Sequence, residues 1–166
     1  NCKKLIGINY SIVDKIYCPE KKFVQNSNLR RKKSIFVFMG GVDRKNYTYK
    51  IFQIFKKKVF SKFKITILIG LGNLKRKILL KKAQKIKNIK LVKKMINNSI
   101  MKKYYINSDL VISPAGVTMY EQLLCRANSL IIPQNFYQKK TCYNLSRDNY
   151  INYESNIKNI NIKKIN

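Results

Sequence analysis

The sequence contains no histidine and no tryptophan, and only seven of its 166 residues are Asp or Glu. The absence of histidine removes the commonest general base, and it excludes Ser-His-Asp and Cys-His catalytic groups from this chain. The four cysteines (Cys2, Cys18, Cys125 and Cys142) stand apart from one another, with no CxxC pair. Isolated thiols predict neither a zinc site nor a disulfide framework, so we expect no metal, no cofactor and a reduced, cytoplasmic environment.

Long apolar runs are missing as well. The most apolar stretch, residues 65–74, is interrupted by Gly70 and Gly72 and falls short of the ~20 residues that cross a bilayer as a helix. We therefore expect no transmembrane segment. No signal peptide is visible, and since the sequence starts at Asn1 rather than at methionine, we expect that it is a piece of a longer protein.

Positive charge is in excess, because 36 Lys and Arg residues give a formal net charge of +29. Such a charge is typical of proteins that bind nucleic acid or another polyanion. However, Lys, Ile and Asn together make up 73 of the 166 residues, and all three have AT-rich codons. Because the lysines are spread along the whole chain, a biased genome explains the charge more simply, and we expect no specific nucleic-acid partner.

The apolar pattern divides the chain into one lead-in and one regular domain. Residues 1–33 are interpreted as a lead-in and connector from a missing amino-terminal domain, and residues 34–166 as the domain itself, with an incomplete tail. Short apolar runs predict strands at 34–39, 64–69, 89–92, 109–113 and 129–132, and a last one near 150–153. Amphipathic stretches predict helices at 46–58, about 73–87, 98–105 and about 117–126. The second helix is expected to bury Leu74, Ile78, Leu79, Ala83 and Ile86 on one face.

Alternating strands and helices predict an α/β fold with a doubly wound, open parallel sheet of about five strands, of the Rossmann-like type. Strands that are apolar on both faces suit a sheet covered by helices on both sides. In such sheets ligands bind beyond the carboxyl ends of the strands. The loops of interest are therefore 40–46, 70–73, 114–118 and 133–139, and three of the four contain glycine.

Gly40 and Gly41 lie between the first strand and the first helix. Glycines in this position let a phosphate approach the backbone N–H groups of a helix start. The alternative is a tight turn that needs a positive φ, and this alternative stays open. Asp43, just beyond, is interpreted as a helix N-cap.

A second candidate site is the stretch from Ala115 to Glu121. Gly116 would admit a pyrophosphate to a helix N-terminus, and Glu121 would accept hydrogen bonds from both ribose hydroxyls through its two carboxylate oxygens. Thr118 and Glu121 also have the spacing of a capping box, in which each side chain satisfies a backbone N–H of the other. Gln138, beyond the next strand, offers an amide contact to a sugar or is a plain surface residue.

The lysine clusters have a simpler interpretation than polyanion binding. We predict that they occupy solvated helix faces; they are Lys56 to Lys58, Lys81-Lys82 and Lys93-Lys94. For Tyr104 and Tyr105 we favour partial core packing over stacking on a nucleic-acid base.

Several segments, in this order, resemble one known family. They are LIGINY at 5–10, IFVFMGGVD at 35–43, MKKYYINSDLVISPAGVTMYEQ at 101–122, SLIIP at 129–133, and Gln138. Together they resemble the carboxyl-terminal half of the UDP-sugar hydrolases of the pseudaminic-acid pathway (UDP-2,4-diacetamido-2,4,6-trideoxy-beta-L-altropyranose hydrolases). Spore-coat polysaccharide proteins and, more distantly, glycosyltransferases with two Rossmann-like halves (GT-B) share the pattern. One departure is the family's Gly-x-Pro before the fifth strand, which is Arg126-Ala127-Asn128 here.

The resemblance implies a UDP-binding domain of a hydrolase that releases UDP from an amino-sugar nucleotide by water attack at the anomeric carbon, without a metal. The residues implied to bind UDP are Gly40, Gly41, Gly116, Val117, Thr118, Glu121 and Gln138. The catalytic histidine would belong to the amino-terminal half, so no catalytic residue is expected in this chain. Two alternatives stay open: the donor-binding half of a GT-B glycosyltransferase, and a basic module that binds polyanions.

Overall fold

The computed structural model describes residues 3, 7–19, 33–93 and 96–160. Within these ranges, six strands form one sheet in the order β3-β2-β1-β4-β5-β6, and all neighbouring strands are parallel. The strands are β1 Ser34–Phe38, β2 Lys64–Leu68, β3 Ile89–Val92, β4 Leu110–Pro114, β5 Ser129–Ile132 and β6 Asn152–Tyr153. This order is that of a doubly wound Rossmann-like sheet, and it confirms the predicted fold class.

Helices cover both faces of the sheet. They are α1 Tyr47–Phe55, α2 Arg76–Ala83, α3 Asn98–Asn107, α4 Val117–Leu124 and α5 Phe136–Arg147. Helices α1 and α2 pack on one face, and α3, α4 and α5 pack on the other. This division follows from right-handed crossovers, because the chain moves outward from β1 to β3 and then returns across the sheet to β4.

Strand β1 shows why the apolar runs are continuous rather than alternating. Ile35 and Val37 are buried beneath α1 and α2, whereas Phe36 points to the other face and packs on Tyr104 and Tyr105 of α3. A parallel strand covered on both sides must be apolar at every position. The predicted core packing of Tyr104 and Tyr105 is confirmed, since the Phe36 and Tyr104 rings stack with their centroids 4.5 Å apart.

The interpretation of 1–33 as a lead-in can be compared with the structure over residues 7–19. A short 3-10 turn, Lys15–Tyr17, packs against α3 and α4, and Tyr17 is buried there. Residues 7–19 therefore pack on the domain and supply part of its core. The first two residues of LIGINY, the connector 20–32 and Cys2 lie outside the described residues.

Two predictions about helices are wrong. Helix α5 occupies residues 136–147, where the sequence predicts only a loop and the beginning of the tail. Helix α2 begins at Arg76 rather than near residue 73, so Leu74 lies in the preceding loop, 79% exposed, and Ile78 is also exposed. Leu79 and Ala83 are buried as predicted.

Candidate functional site

The carboxyl ends of β1 and β4 lie side by side at the centre of the sheet, because these two strands are paired. The strand order reverses at this point, and a doubly wound sheet has its natural crevice there. The loop after β1 carries Gly40 and Gly41, and the loop after β4 leads through Gly116 into α4. Both predicted glycine loops therefore lie at the same edge of the sheet, as the sequence predicts.

Gly40 and Gly41 have different structural reasons to be glycine. Gly40 has φ +92, so the tight-turn interpretation is correct for this residue. Gly41 has no positive φ, and a methyl group on it would meet no atom within 4 Å. Space is also open beside Gly40. The loop therefore presents bare backbone toward an open region at the sheet edge.

The loop after β2 supports the β1–α1 loop from the other side. The backbone N–H of Gly72 donates to the carbonyl oxygen of Gly41 at 3.0 Å. A side chain on Gly70 would collide with the carbonyl oxygens of Gly40 and Gly41. The two loops thus pack backbone against backbone, and this contact holds the Gly40–Gly41 loop in place.

Asp43 caps helix α1 through its side chain, but the prediction that it is the N-cap residue is wrong, because that position is occupied by Asn46. The buried Asp43 carboxylate accepts hydrogen bonds from the backbone N–H groups of Tyr47 and Thr48, at 2.8 and 2.7 Å. The side-chain amide of Asn73 donates to the same carboxylate at 3.3 Å. Because these two N–H groups at the start of α1 are already satisfied, an anion at this loop would have to use the backbone of Gly40, Gly41 and Val42 instead.

In contrast to α1, the first turn of α4 has backbone N–H groups that no side chain caps in the described part of the chain. Gly116 is the N-cap residue, with extended backbone and no side-chain cap. Val117 is exposed, and Thr118 is half-buried in the first turn. The first N–H groups of a helix carry partial positive charge, so an uncapped start at the sheet edge suits a negatively charged group.

The capping-box alternative for Thr118 and Glu121 is wrong. Helix α4 begins at Val117, so Thr118 is the second helical residue rather than the cap. The Glu121 carboxylate instead accepts a hydrogen bond from the hydroxyl of Tyr105, with 2.9 Å between the two oxygens. Glu121 is half-buried, and burial raises its pKa, while the tyrosine hydroxyl bond works in the opposite direction.

Gln138 lies in the first turn of α5, where its side-chain amide oxygen accepts a hydrogen bond from the backbone N–H of Gln134 at 2.7 Å. Gln134 in turn donates its side-chain amide to the carbonyl of Met39 at 3.0 Å, and Lys45 donates to the carbonyl of Gln134. These bonds tie the loop after β5 to the loop after β1. Gln138 is therefore at the predicted edge, with its amide oxygen engaged in the loop.

Sequence reasoning did not single out Gln134, Lys45 and Asn73, although all three hold the loops at this edge together. A usable signal existed for two of them. Gln134 directly follows Pro133 at the end of a predicted strand, and Asn73 directly follows the Gly70–Gly72 loop. Lys45 could not be distinguished from 29 other lysines by sequence.

Two cavities differ in their relation to these loops. One of about 240 Å³ lies beside Gly41 and has an apolar lining of Phe38, Leu68, Leu71, Ile96 and Met101. A larger one, about 350 Å³, lies between the ends of α4 and α5, at the amino-terminal start of β5. We associate the first with the candidate site, because only that cavity borders the glycine loops.

The described lysines of these clusters are exposed as predicted, but only Lys81 and Lys82 lie on a predicted helix face, that of α2. Lys56 to Lys58 lie in the turn after α1, and Lys93 lies in the loop after β3. Lys56, Lys57, Lys58, Lys81, Lys82 and Lys93 are all exposed. Lys82 extends over the Tyr49 ring and bonds its hydroxyl. Lys94 lies outside the described residues. In the described part of the chain, the longest helix has 12 residues, and none is long and apolar enough to cross a membrane.

No family profile matches the chain, but it is similar to known proteins in both sequence and structure. The uncharacterized protein MJ1062 of Methanocaldococcus jannaschii is 29% identical over 146 residues, which cover 82% of this chain and 28% of that protein. A solved structure of the glycotransferase of kitacinnamycin superposes with a TM-score of 0.55 at 12% identity, over 81% of this chain and 33% of that one.

This chain therefore spans about a third or less of the length of these two proteins. The structural likeness establishes a glycosyltransferase-like, Rossmann-type α/β fold. Neither protein is named as a UDP-sugar hydrolase.

Proposed function

We propose that this chain is the UDP-binding half of a UDP-amino-sugar hydrolase. The complete protein would release UDP from a nucleotide-activated amino sugar by water attack at the anomeric carbon. It would act in the biosynthesis of nonulosonic (pseudaminic) acid or of a surface polysaccharide. The proposal combines the site geometry with the ordered sequence resemblance from LIGINY to Gln138.

One observation carries the binding part of the proposal. The bare Gly40–Gly41 backbone and the uncapped start of α4 follow two paired strands, β1 and β4. Two sets of backbone N–H groups at one crevice suit a diphosphate, which carries negative charge on both phosphates. A negative charge also develops on the leaving UDP when the sugar bond breaks, and the same N–H groups would stabilise it.

The remaining groups fit the rest of a UDP-sugar. Glu121 is proposed to bind the ribose hydroxyls, because a carboxylate that accepts one tyrosine hydroxyl still has acceptor positions left. The apolar cavity beside Gly41 has room for the flat face of a base. The side-chain nitrogen of Gln138 would donate to the sugar. The water-activating group would come from the other half of the protein, since this chain has no histidine.

The donor-binding half of a GT-B glycosyltransferase is the second candidate, and the fold of the glycotransferase of kitacinnamycin favours it. The two functions share the UDP site and differ in the attacking group, which is water in one and a sugar hydroxyl in the other. The complete protein incubated with UDP-amino sugar alone distinguishes them. Rapid release of free sugar supports the hydrolase, and release that requires an added acceptor supports the transferase.

Calorimetric titration with UDP tests the binding site. We expect the chain to bind UDP, and Glu121→Gln to weaken binding about tenfold or more, because a charge-assisted hydrogen bond contributes roughly 1.5–3 kcal/mol. Asp148→Asn is the matched control: it removes one negative charge from an exposed carboxylate that lies one residue beyond the end of α5. It should bind UDP like the wild type.

Three results would contradict parts of this proposal. Absence of UDP binding by the wild-type chain would refute the nucleotide site. Equal affinity of Glu121→Gln and wild type would remove Glu121 from the ribose. Hydrolysis of a UDP-sugar by this chain alone would show that the catalytic group lies within it.

A further inference from the structure

Glu121 lies at the centre of a cluster formed by three separate segments. Tyr105 of α3 donates its hydroxyl to Glu121 at 2.9 Å, and the hydroxyl of Tyr17, from the 3-10 turn Lys15–Tyr17, also interacts with this carboxylate. The two tyrosine rings lie 5.9 Å apart, centroid to centroid, and both side chains are about 1% exposed. The half-buried carboxylate thus accepts a hydrogen bond from Tyr105, and a second buried tyrosine packs on that donor.

The segment Asp14–Cys18 is held in place by contacts on both sides of Tyr17. The side-chain amide of Asn98 donates to the Asp14 carboxylate at 3.0 Å, and Lys102 donates to the carbonyl of Cys18 at 3.2 Å. The thiol of Cys125 lies 3.5 Å from the carbonyl oxygen of Tyr17. Because Asn98 and Lys102 belong to α3 and Cys125 follows α4, this segment joins the two helices at Glu121.

The charges around Glu121 explain why the neighbouring tyrosine hydroxyls matter. Burial, and secondarily the negative charge of Asp14, raise the pKa of Glu121, whereas the hydroxyls of Tyr105 and Tyr17 lower it. The pKa values of both tyrosines are raised, mainly by burial and then by the Glu121 charge, so their hydroxyls stay protonated and keep donating. The Cys125 thiol also faces this cluster, and burial raises its pKa to about 11, so it adds no charge at neutral pH.

We propose that Tyr105 and Tyr17 are positioning residues for the Glu121 carboxylate, and that the segment Asp14–Cys18 is thereby part of the nucleotide site. This inference rests on the proposed function, in which Glu121 binds the ribose. The tyrosines hold the carboxylate in one orientation and keep it ionised. Displacement of the segment would therefore weaken UDP binding although none of its residues needs to touch the nucleotide.

UDP titrations of Tyr105→Phe and Tyr17→Phe across a pH series test the inference. Each variant should bind UDP more weakly, by about tenfold at the pH where wild-type binding is strongest. The pH at which binding is half lost on acidification should rise, because losing a donor to the carboxylate raises the pKa of Glu121. Tyr104→Phe is the matched control, since Tyr104 stacks on Phe36; both its affinity and its pH midpoint should equal those of the wild type.

A second measurement needs no ligand. With carbon-13 at the carboxyl carbons of its three glutamates, the chain reports the Glu121 titration directly, with Glu121→Gln for assignment. A higher pKa of Glu121 in both variants, with unchanged thermal unfolding, supports the positioning role. An unchanged pKa in both would overturn it even if wild-type UDP binding is normal. Conversely, if the pKa of Glu121 rises in the variants but the wild-type chain does not bind UDP, the proposed function is refuted and the positioning of Glu121 by the tyrosines is supported.

Discussion

At the scale of single residues, Arg126 adopts a strained, left-handed backbone conformation in the turn that ends α4. It is exposed, has φ 52, and stands where the resembled family has glycine. The turn itself is formed, since the N–H groups of Arg126 and Ala127 donate to the carbonyls of Leu123 and Gln122, both at 3.0 Å. The tight turn is therefore formed, although arginine suits its left-handed conformation less well than glycine does.

Arg126→Gly should stabilise the protein for this reason. A left-handed conformation costs a non-glycine residue roughly 1–2 kcal/mol, and the greater freedom of glycine in the unfolded chain offsets part of the gain. We expect the free energy of unfolding, measured with urea, to rise by about 0.5–1 kcal/mol. Asn149, with φ 60, is the control, because asparagine tolerates this conformation and Asn149→Gly should change little. A loss of stability in Arg126→Gly would mean that the arginine side chain stabilises the turn by more than its strain costs.

At the scale of elements, the two glycine loops beside β1 and β2 allow a paired test. Gly70→Ala forces a methyl group against the carbonyl oxygens of Gly40 and Gly41, and we expect it to lower the free energy of unfolding by about 1–3 kcal/mol. Gly41→Ala places its methyl in open space, so unfolding should hardly change. If a phosphate approaches this loop, Gly41→Ala should weaken UDP binding all the same. Equal stability of the two variants would contradict the backbone-to-backbone packing of these loops.

The strands could be predicted from sequence because each is a continuous apolar run that is buried on both faces. Strand β5, for example, has the predicted bounds, Ser129–Ile132. Helix α5 could not, because its only fully buried residue is Cys142 while Phe136, Tyr137 and Tyr143 are exposed. A helix at the side of the sheet, with a narrow buried stripe, leaves little periodicity to detect.

The site was predictable where it depends on backbone and unpredictable where it depends on long-range contacts. Gly40 and Gly116 lie at one edge because the strand order brings β1 beside β4, and the alternation of elements already implies this. The Thr118–Glu121 spacing suggested a capping box with Thr118 as the N-cap, but the N-cap is Gly116, two residues earlier. Tyr105, which donates to Glu121, and Tyr17, which packs on Tyr105, lie 16 and 104 positions from Glu121 in sequence, and no local pattern marks them.

At the scale of the whole molecule, the fold separates the candidate site from most of the charge. The described loops at the carboxyl edge present backbone, amide and apolar groups together with Arg44, Lys75 and Lys93. The other clustered lysines lie in the turn after α1 and on α2. The edge itself includes Lys45, which is bonded to the Gln134 carbonyl. Recognition of an anion by backbone N–H groups and recognition of a polyanion by lysines therefore predict different salt dependences.

The net charge of +29 nevertheless predicts a measurable interaction with nucleic acid, and its salt dependence distinguishes the two interpretations of the lysines. Scattered lysines bind phosphates only through release of counterions, so affinity falls steeply with salt and does not depend on base sequence. We expect fluorescence anisotropy with labelled DNA and RNA of several sequences to show similar, weak binding at about 50 mM salt. That binding should be mostly lost at about 200 mM. Excess UDP should leave it largely unchanged, because the nucleotide would occupy the glycine loops at the sheet edge, whereas the lysines are spread along the whole chain. A complex that prefers one sequence and survives the higher salt would establish the polyanion-binding function instead, and competition by UDP would then show that nucleic acid uses the same edge.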